Sequence, residues 1–171
     1  MKFYLSTTAD IEVADESSWP IKIVNTLKSA KLAKAYGMGI EIAEYSISEN
    51  LETGAEKTEK EVLEKISMVP DVLLHAPYNE LFPCAIEPKV LEVAKIRYDE
   101  SWELCRKYGA KKMIVHSGFY PQMYFESWFV ERAIIFWKEF LEKHTEDIII
   151  CMENVVETEP SSKSTFKTND F

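Results

Sequence analysis

The chain has 171 residues, 46% hydrophobic, 12% aromatic and 29% charged, and its 20 basic against 29 acidic side chains give a net charge of −9. This is the composition of a globular chain of one domain's length, and it excludes collagen-like repeats and wholesale disorder. No apolar run approaches the roughly 18 residues of a membrane span, the acidic balance gives no support to non-specific nucleic-acid binding, and the length falls short of the roughly 200 residues or more that a complete eight-stranded α/β barrel takes.

Elements follow in chain order. KFYLS (2–6) reads as a short buried strand. Residues 19–36 carry apolar groups at Ile23, Val24, Leu27, Ala30 and Ala33 in a helical stripe, with Pro20 in the first turn and Gly37 and Gly39 as stops. GIEIAEY (39–45) alternates like a strand. Residues 55–68 form a charged amphipathic helix with Val62, Leu63 and Ile66 inward. DVLLHA (71–76) is a third strand. A long helix follows over 88–108, started by Pro88 and ended by Gly109. KKMIVHS (111–117), a helix over 126–143 and DIIICMENV (147–155) complete the rhythm.

The order is therefore strand and helix alternating, five strands and four helices. Each helix is long enough to serve as a crossover, so the strands are expected to run parallel. Strands three to five are near-continuous apolar runs, as when both faces of a sheet are covered. The repeated βα unit points to a (β/α) barrel over residues 1–160. From 161 to 171 the period is lost, and this segment is expected to be an irregular, disordered tail.

Three polar residues end apolar strands: His75, His116 and Glu153, spaced 41 and 37 residues apart, about one βα unit each. The C-terminal ends of parallel strands share one edge of the sheet, where such folds bind ligands. Two imidazoles and a carboxylate there match a divalent-metal site, with zinc or manganese as the ion. Tyr78 and Asn154 stand beside these residues and offer a hydroxyl and an amide to a substrate. Of Glu41 and Glu44 on the second strand, one is expected to point inward. His144 reads as a surface cation at a helix C-terminus. The aromatic run Phe119, Tyr120, Tyr124, Phe125, Trp128 and Phe129 divides between packing and a loop able to stack on a sugar or base. Three dispersed cysteines, Cys84, Cys105 and Cys151, form no CxxC pair. They fit a reducing compartment, with Cys105 and Cys151 as small core residues. The opening residues turn polar and acidic after the first five, unlike a secretory signal, so a cytoplasmic location is expected.

The same segments carry a resemblance. HAPYNELFP (75–83), VHSGFYP (115–121) and MENVVETEP (152–160) resemble the strand 3, 4 and 5 motifs of the xylose-isomerase-like TIM-barrel superfamily, and KFYLSTT (2–8) and GIEIAEY (39–45) are similar to its first two strands. That superfamily includes sugar-phosphate isomerases and epimerases and the abasic-site nuclease endonuclease IV. The resemblance implies a partial (β/α)8 TIM barrel. It implies zinc ligation by His75, His116 and Glu153 as in the nuclease branch, and a role for Glu153 in metal binding and proton transfer as in the isomerase branch. The implied substrate is a small carbohydrate or sugar phosphate.

The family's remaining ligands come from strands 6 to 8. The expectation is an interrupted barrel, with a half-barrel that pairs with another chain as the alternative. Such an open sheet exposes an apolar edge through which the chain could self-associate. Three functional readings follow. The first is a metal-dependent isomerase or epimerase with Glu153 as ligand and base, its activity compromised by the incomplete barrel. The second is an endonuclease-IV-like zinc phosphodiesterase acting on DNA, and the third is a non-catalytic interaction module.

Overall fold

The computed structural model describes residues 2–10, 27–52, 55–121, 125–145, 147–153 and 162–164. Strands β1 (Tyr4–Ser6), β2 (Gly39–Ile42), β3 (Val72–His75), β4 (Lys112–His116) and β6 (Ile149–Glu153) form one sheet in that order, every pair parallel. Helix α1 (Lys28–Ala35) joins β1 to β2, and α3 (Ala55–Ile66) joins β2 to β3. Helix α4 (Pro88–Tyr108) leads from β3 to β4, and α5 (Glu126–Lys143) from β4 to β6. This is the expected α/β architecture of a partial (β/α)8 barrel, five parallel strands with helices between them. No helix among the described residues is long and apolar enough to cross a membrane.

Several boundaries differ from the sequence reading. The strand expected over 39–45 stops at Ile42, and a 3-10 turn follows over Glu44–Ser46. A short helix, α2 (Glu49–Glu52), was not anticipated. Within 19–36, only the part from residue 27 onward lies in the described region, and its helix begins at Lys28. Strand β5 (Phe119–Pro121) pairs antiparallel with β7 (Ser162–Ser164), so part of the segment expected to be irregular supplies a strand. The rest of 161–171 lies outside the described residues.

Pleating sorts the strand residues into two layers. Ile40 and Ile42, Val72 and Leu74, and Met113 and Val115 are all buried in the core. There they join Ala33, Val62, Tyr98, Trp102, Phe136 and Phe140 from the helices. Ile148, Ile150 and Met152 pack against the same core. Tyr98 meets Phe136, Trp137 and Phe140 in edge or tilted ring contacts with centroids 4.9–6.4 Å apart, the arrangement favoured by the ring quadrupoles. Cys105 is part of this core, as expected, and burial pushes its thiol up to about 12.

Local chemistry fixes the element ends. Pro88 opens α4 in its first turn, the Glu87 side chain accepts from the Lys89 N–H, and Gly109 closes the helix at φ 71° while the Ala110 N–H reaches back to the Cys105 carbonyl. Gly39 does not end α1 as a stop; it opens β2 where a Cβ would lie 2.6 Å from the Tyr4 ring and 2.7 Å from the Asp71 carbonyl. Only glycine lets the three strands close up at that point.

The turn after Ile42 is held by a buried ion pair. Lys65 of α3 donates to Glu44 at 2.8 Å, with side-chain exposures of 1% and 3%. The Thr7 hydroxyl donates to the other Glu44 oxygen at 2.8 Å and accepts from the Ala43 N–H at 2.9 Å. A buried pair tolerates no loss of one partner. Lys65→Met is expected to cost about 3–5 kcal/mol by leaving a buried carboxylate uncompensated. Lys65→Met combined with Glu44→Gln should recover part of that loss in urea unfolding, whereas equal stability of the two variants would contradict the pair's role.

Candidate metal-binding cleft

The residues between the core positions face the other way. His75 ends β3, His116 ends β4 and Glu153 ends β6, and the sheet register sets His116 directly opposite Glu153. Both imidazoles are buried, while the Glu153 side chain is 52% exposed. The carboxylate oxygen Oε2 of Glu153 lies 3.5 Å from His75 Nε2 and 3.4 Å from His116 Nε2. The three residues offer ligand atoms all within 4.8 Å of one another.

The donor set fits a divalent metal. Ligands 2.0–2.2 Å from a tetrahedral zinc stand about 3.3–3.6 Å apart, a range that holds the 3.5 Å and 3.4 Å separations of His75 and His116 from Glu153. His75 Nδ1 is 2.8 Å from the Ala76 carbonyl. A carbonyl only accepts, so Nδ1 carries a proton, and Nε2 is the ring nitrogen turned to Glu153 in the cleft. Metal-ligating histidines are commonly oriented in this way. His116 differs, because its Nδ1 is buried without a hydrogen-bond partner among the described residues. Its ring is instead fixed by packing: Tyr78 stacks on it at 4.1 Å and 21°, and His75 meets it edge-on at 5.1 Å.

Electrostatics keep His116 neutral. Burial, and then the charge of His75, pull its pKa below the ordinary 6.5, and these outweigh the upward pull of Glu153. A neutral ring is the form that donates to a metal. The sign for stability follows: above pH 6.5 His116 contributes nothing either way. As pH falls through 6.5 the unfolded chain takes the proton first, and stability is lost down to the folded pKa.

The cleft has a volume of about 650 Å³, within the range of small-molecule sites. Besides the three residues above it is lined by Tyr78, Ile114 and Cys151, and on its other side by Ser6, Thr8, Glu41 and Ser46. Tyr78 sits where the sequence reading put it, but as a ring packed against both imidazoles. Asn154 lies outside the described residues. Of the two glutamates of the second strand region, Glu41 is the inward one; Glu44 is held in its ion pair. Cys151 is not a core residue: its register opposite Ile114 turns it to the cleft.

His144 is no free surface cation. Its side chain is largely buried on Trp102 and Phe140, and its Nε2 lies 2.8 Å from Asp99. Burial alone would push the Asp99 carboxyl up, but the hydrogen bonds from Lys143 and His144 hold it below its ordinary value. In the aromatic run Phe129 is core, Phe125 and Trp128 are exposed, and the Arg132 guanidinium lies 5.0 Å from the centre of the Trp128 ring. Sequence reasoning missed Ser6 and Thr8, whose signal was their position at and just past a strand end.

The fold and site together define a parallel α/β half-barrel with a His-His-Glu cluster at the strands' C-terminal edge. Among solved structures, the chain is similar to a D-tagatose 3-epimerase-like protein at 17% identity and TM-score 0.62, over 94% of this chain and 55% of that one. It is also matched to the TTHB071 protein from Thermus thermophilus soaked with ZnCl2, at 15% identity and TM-score 0.48, over 88% of this chain and 65% of that one. The first likeness establishes the fold, the TIM-barrel type expected from the xylose-isomerase-like motifs. The chain spans about 55% of that protein's length. No protein-family model and no curated protein matches the sequence.

His116 is expected to titrate below pH 6.5 in a ring-nitrogen NMR titration of the metal-free protein. A midpoint at or above 6.5 would show that Glu153, and not burial, governs the ring.

Proposed function

We propose that His75, His116 and Glu153 bind a divalent metal ion, zinc or manganese, and that the cleft belongs to an isomerase or epimerase acting on a small carbohydrate. One observation carries this reading: three ligand atoms of metal-binding type lie within 4.8 Å at the C-terminal edge of three adjacent parallel strands. Similarity in fold to a D-tagatose 3-epimerase-like protein supports the carbohydrate class.

A bound divalent ion supplies electrophilic assistance to substrate oxygens during proton removal beside a carbonyl. The chain's own residues do the rest. His75, oriented by the Ala76 carbonyl, and His116, whose pKa burial lowers, turn their Nε2 atoms toward Glu153. Glu153 is both the anionic ligand and the group positioned to carry a proton, since its side chain is half exposed to the cleft. Tyr78 shields the imidazoles on one side and narrows the approach to them.

An endonuclease-like reading is weaker on charge. Among the described residues lining the cleft there are two glutamates and no lysine or arginine, a poor match to a phosphodiester backbone.

The purified chain is expected to bind close to one equivalent of zinc or manganese by elemental analysis. His75→Ala and His116→Ala should each lower metal affinity at least ~10-fold, and Glu153→Gln should abolish solvent-deuterium incorporation beside the carbonyl of a ketose. A protein that holds no metal, with stability unchanged by chelator, would sink the reading. Incision of an abasic-site duplex without ketose exchange would replace it with the nuclease.

A further inference from the structure

The cleft has a second polar wall that the metal reading leaves unused. Glu41 lies between Ile40 and Ile42 on β2, which are both buried in the core, so its side chain faces the cleft. Its Oε1 accepts from the Ser6 hydroxyl at 3.0 Å. The Thr8 hydroxyl donates in turn to Ser6 Oγ at 3.0 Å. A short chain of hydroxyls from the end of β1 thus orients one oxygen of the carboxylate. Among the described residues the other oxygen, Oε2, makes no hydrogen bond and no cation pairs with Glu41. The contrast with Glu44, three residues on, is direct: that carboxylate meets Lys65, Thr7 and burial.

An oriented carboxylate without a counter-charge among the described residues, in a ligand-sized cleft, is an acceptor for donors that arrive with the ligand. Glu41 is paired with Leu73, and His75 stands two residues further along β3. With strands about 4.8 Å apart and about 3.3 Å of rise per residue, the Glu41 and His75 backbones are roughly 8 Å apart. A small sugar spans that gap. A phosphate group on the β1 and β2 side of the cleft would meet the Glu41 carboxylate, with no lysine or arginine among the described lining residues to offset it.

We propose that Glu41, oriented by Ser6 and Thr8, is the hydroxyl-recognition wall of the cleft and selects a neutral, polyhydroxylated ligand over its phosphorylated counterpart. This rests on the carbohydrate reading given above and adds to it a specificity-determining residue and a charge class.

The test titrates the zinc-loaded full chain with D-tagatose, with D-tagatose 6-phosphate and with inorganic phosphate, following heat and ligand NMR signals. The wild-type chain should bind the free ketose at least tenfold more tightly than the phosphate ester. Glu41→Gln should weaken free-ketose binding roughly 10- to 100-fold, the range for loss of a hydrogen bond to a charged group. It should also narrow the preference against the ester and leave zinc content unchanged. Ser6→Ala should shift both readouts in the same direction by less, and it carries the test if Glu41→Gln fails to fold. Unchanged ketose affinity in the variants, or tighter binding of the ester by the wild-type chain, overturns the role of Glu41 and leaves the carbohydrate reading standing. A zinc-loaded wild-type chain that binds no ketose overturns both.

Discussion

The pleat of a parallel sheet governs this molecule. Alternate residues face opposite sides, and all strands end at one edge. In β2, β3, β4 and β6 one set of alternate side chains packs toward the helices, and from the set between them Glu41, His75, Ile114, His116, Cys151 and Glu153 line the cleft. A slip of one residue in any strand would exchange the two sets, burying histidines against the helices and exposing isoleucine and leucine. Hydrophobic burial on one face therefore fixes the polar geometry on the other. The 3.4 Å approach of His116 to Glu153 follows from the β4–β6 register, which the packing of Met113, Val115, Ile150 and Met152 enforces.

Charge is handled in two ways within a few residues. Past Ile42 the backbone leaves the strand for a 3-10 turn, which rotates Glu44 out of the pleat and onto Lys65 and Thr7. Desolvating both charges is costly, so the pair holds the turn through the penalty for separating its members. Glu41, still in the strand, keeps its inward direction and stays in the cleft. The turn that Glu44 anchors also bears Ser46, whose hydroxyl donates to the Ala43 carbonyl at 2.6 Å. One side of the cleft is thus braced by the same buried pair that ends β2.

Much of this was legible in the sequence where a local signal was enough. The bounds of α4 and α5 match the expected 88–108 and 126–143 because Pro88, Gly109 and the apolar stripes act within a few residues. His75, His116 and Glu153 could be picked out because each is a polar residue closing an apolar run. What depended on long-range pairing was not legible. Lys65 sits in AEKTEKEVLEKI, where any lysine looks solvated, and its partner is 21 residues away. Cys151 lies in a continuous apolar run, so only the register with β4 tells that it faces the cleft. Strands β5 and β7 have three residues each and no alternation long enough to read.

The cleft is chemically unequal along its length, and that inequality limits what can occupy it. At the β3, β4 and β6 end stand two nitrogen donors and a carboxylate; at the β1 and β2 end stand hydroxyls and a second carboxylate; between them lie Ile114 and Cys151. Both polar ends supply electron pairs, and neither supplies a side-chain cation among the described residues. Electron-pair donors at both ends complement electropositive groups, a cation or a hydrogen-bond donor. The cleft's polarity thus follows from which residue types fall on the inner pleat of strands whose outer pleat is fixed by the core.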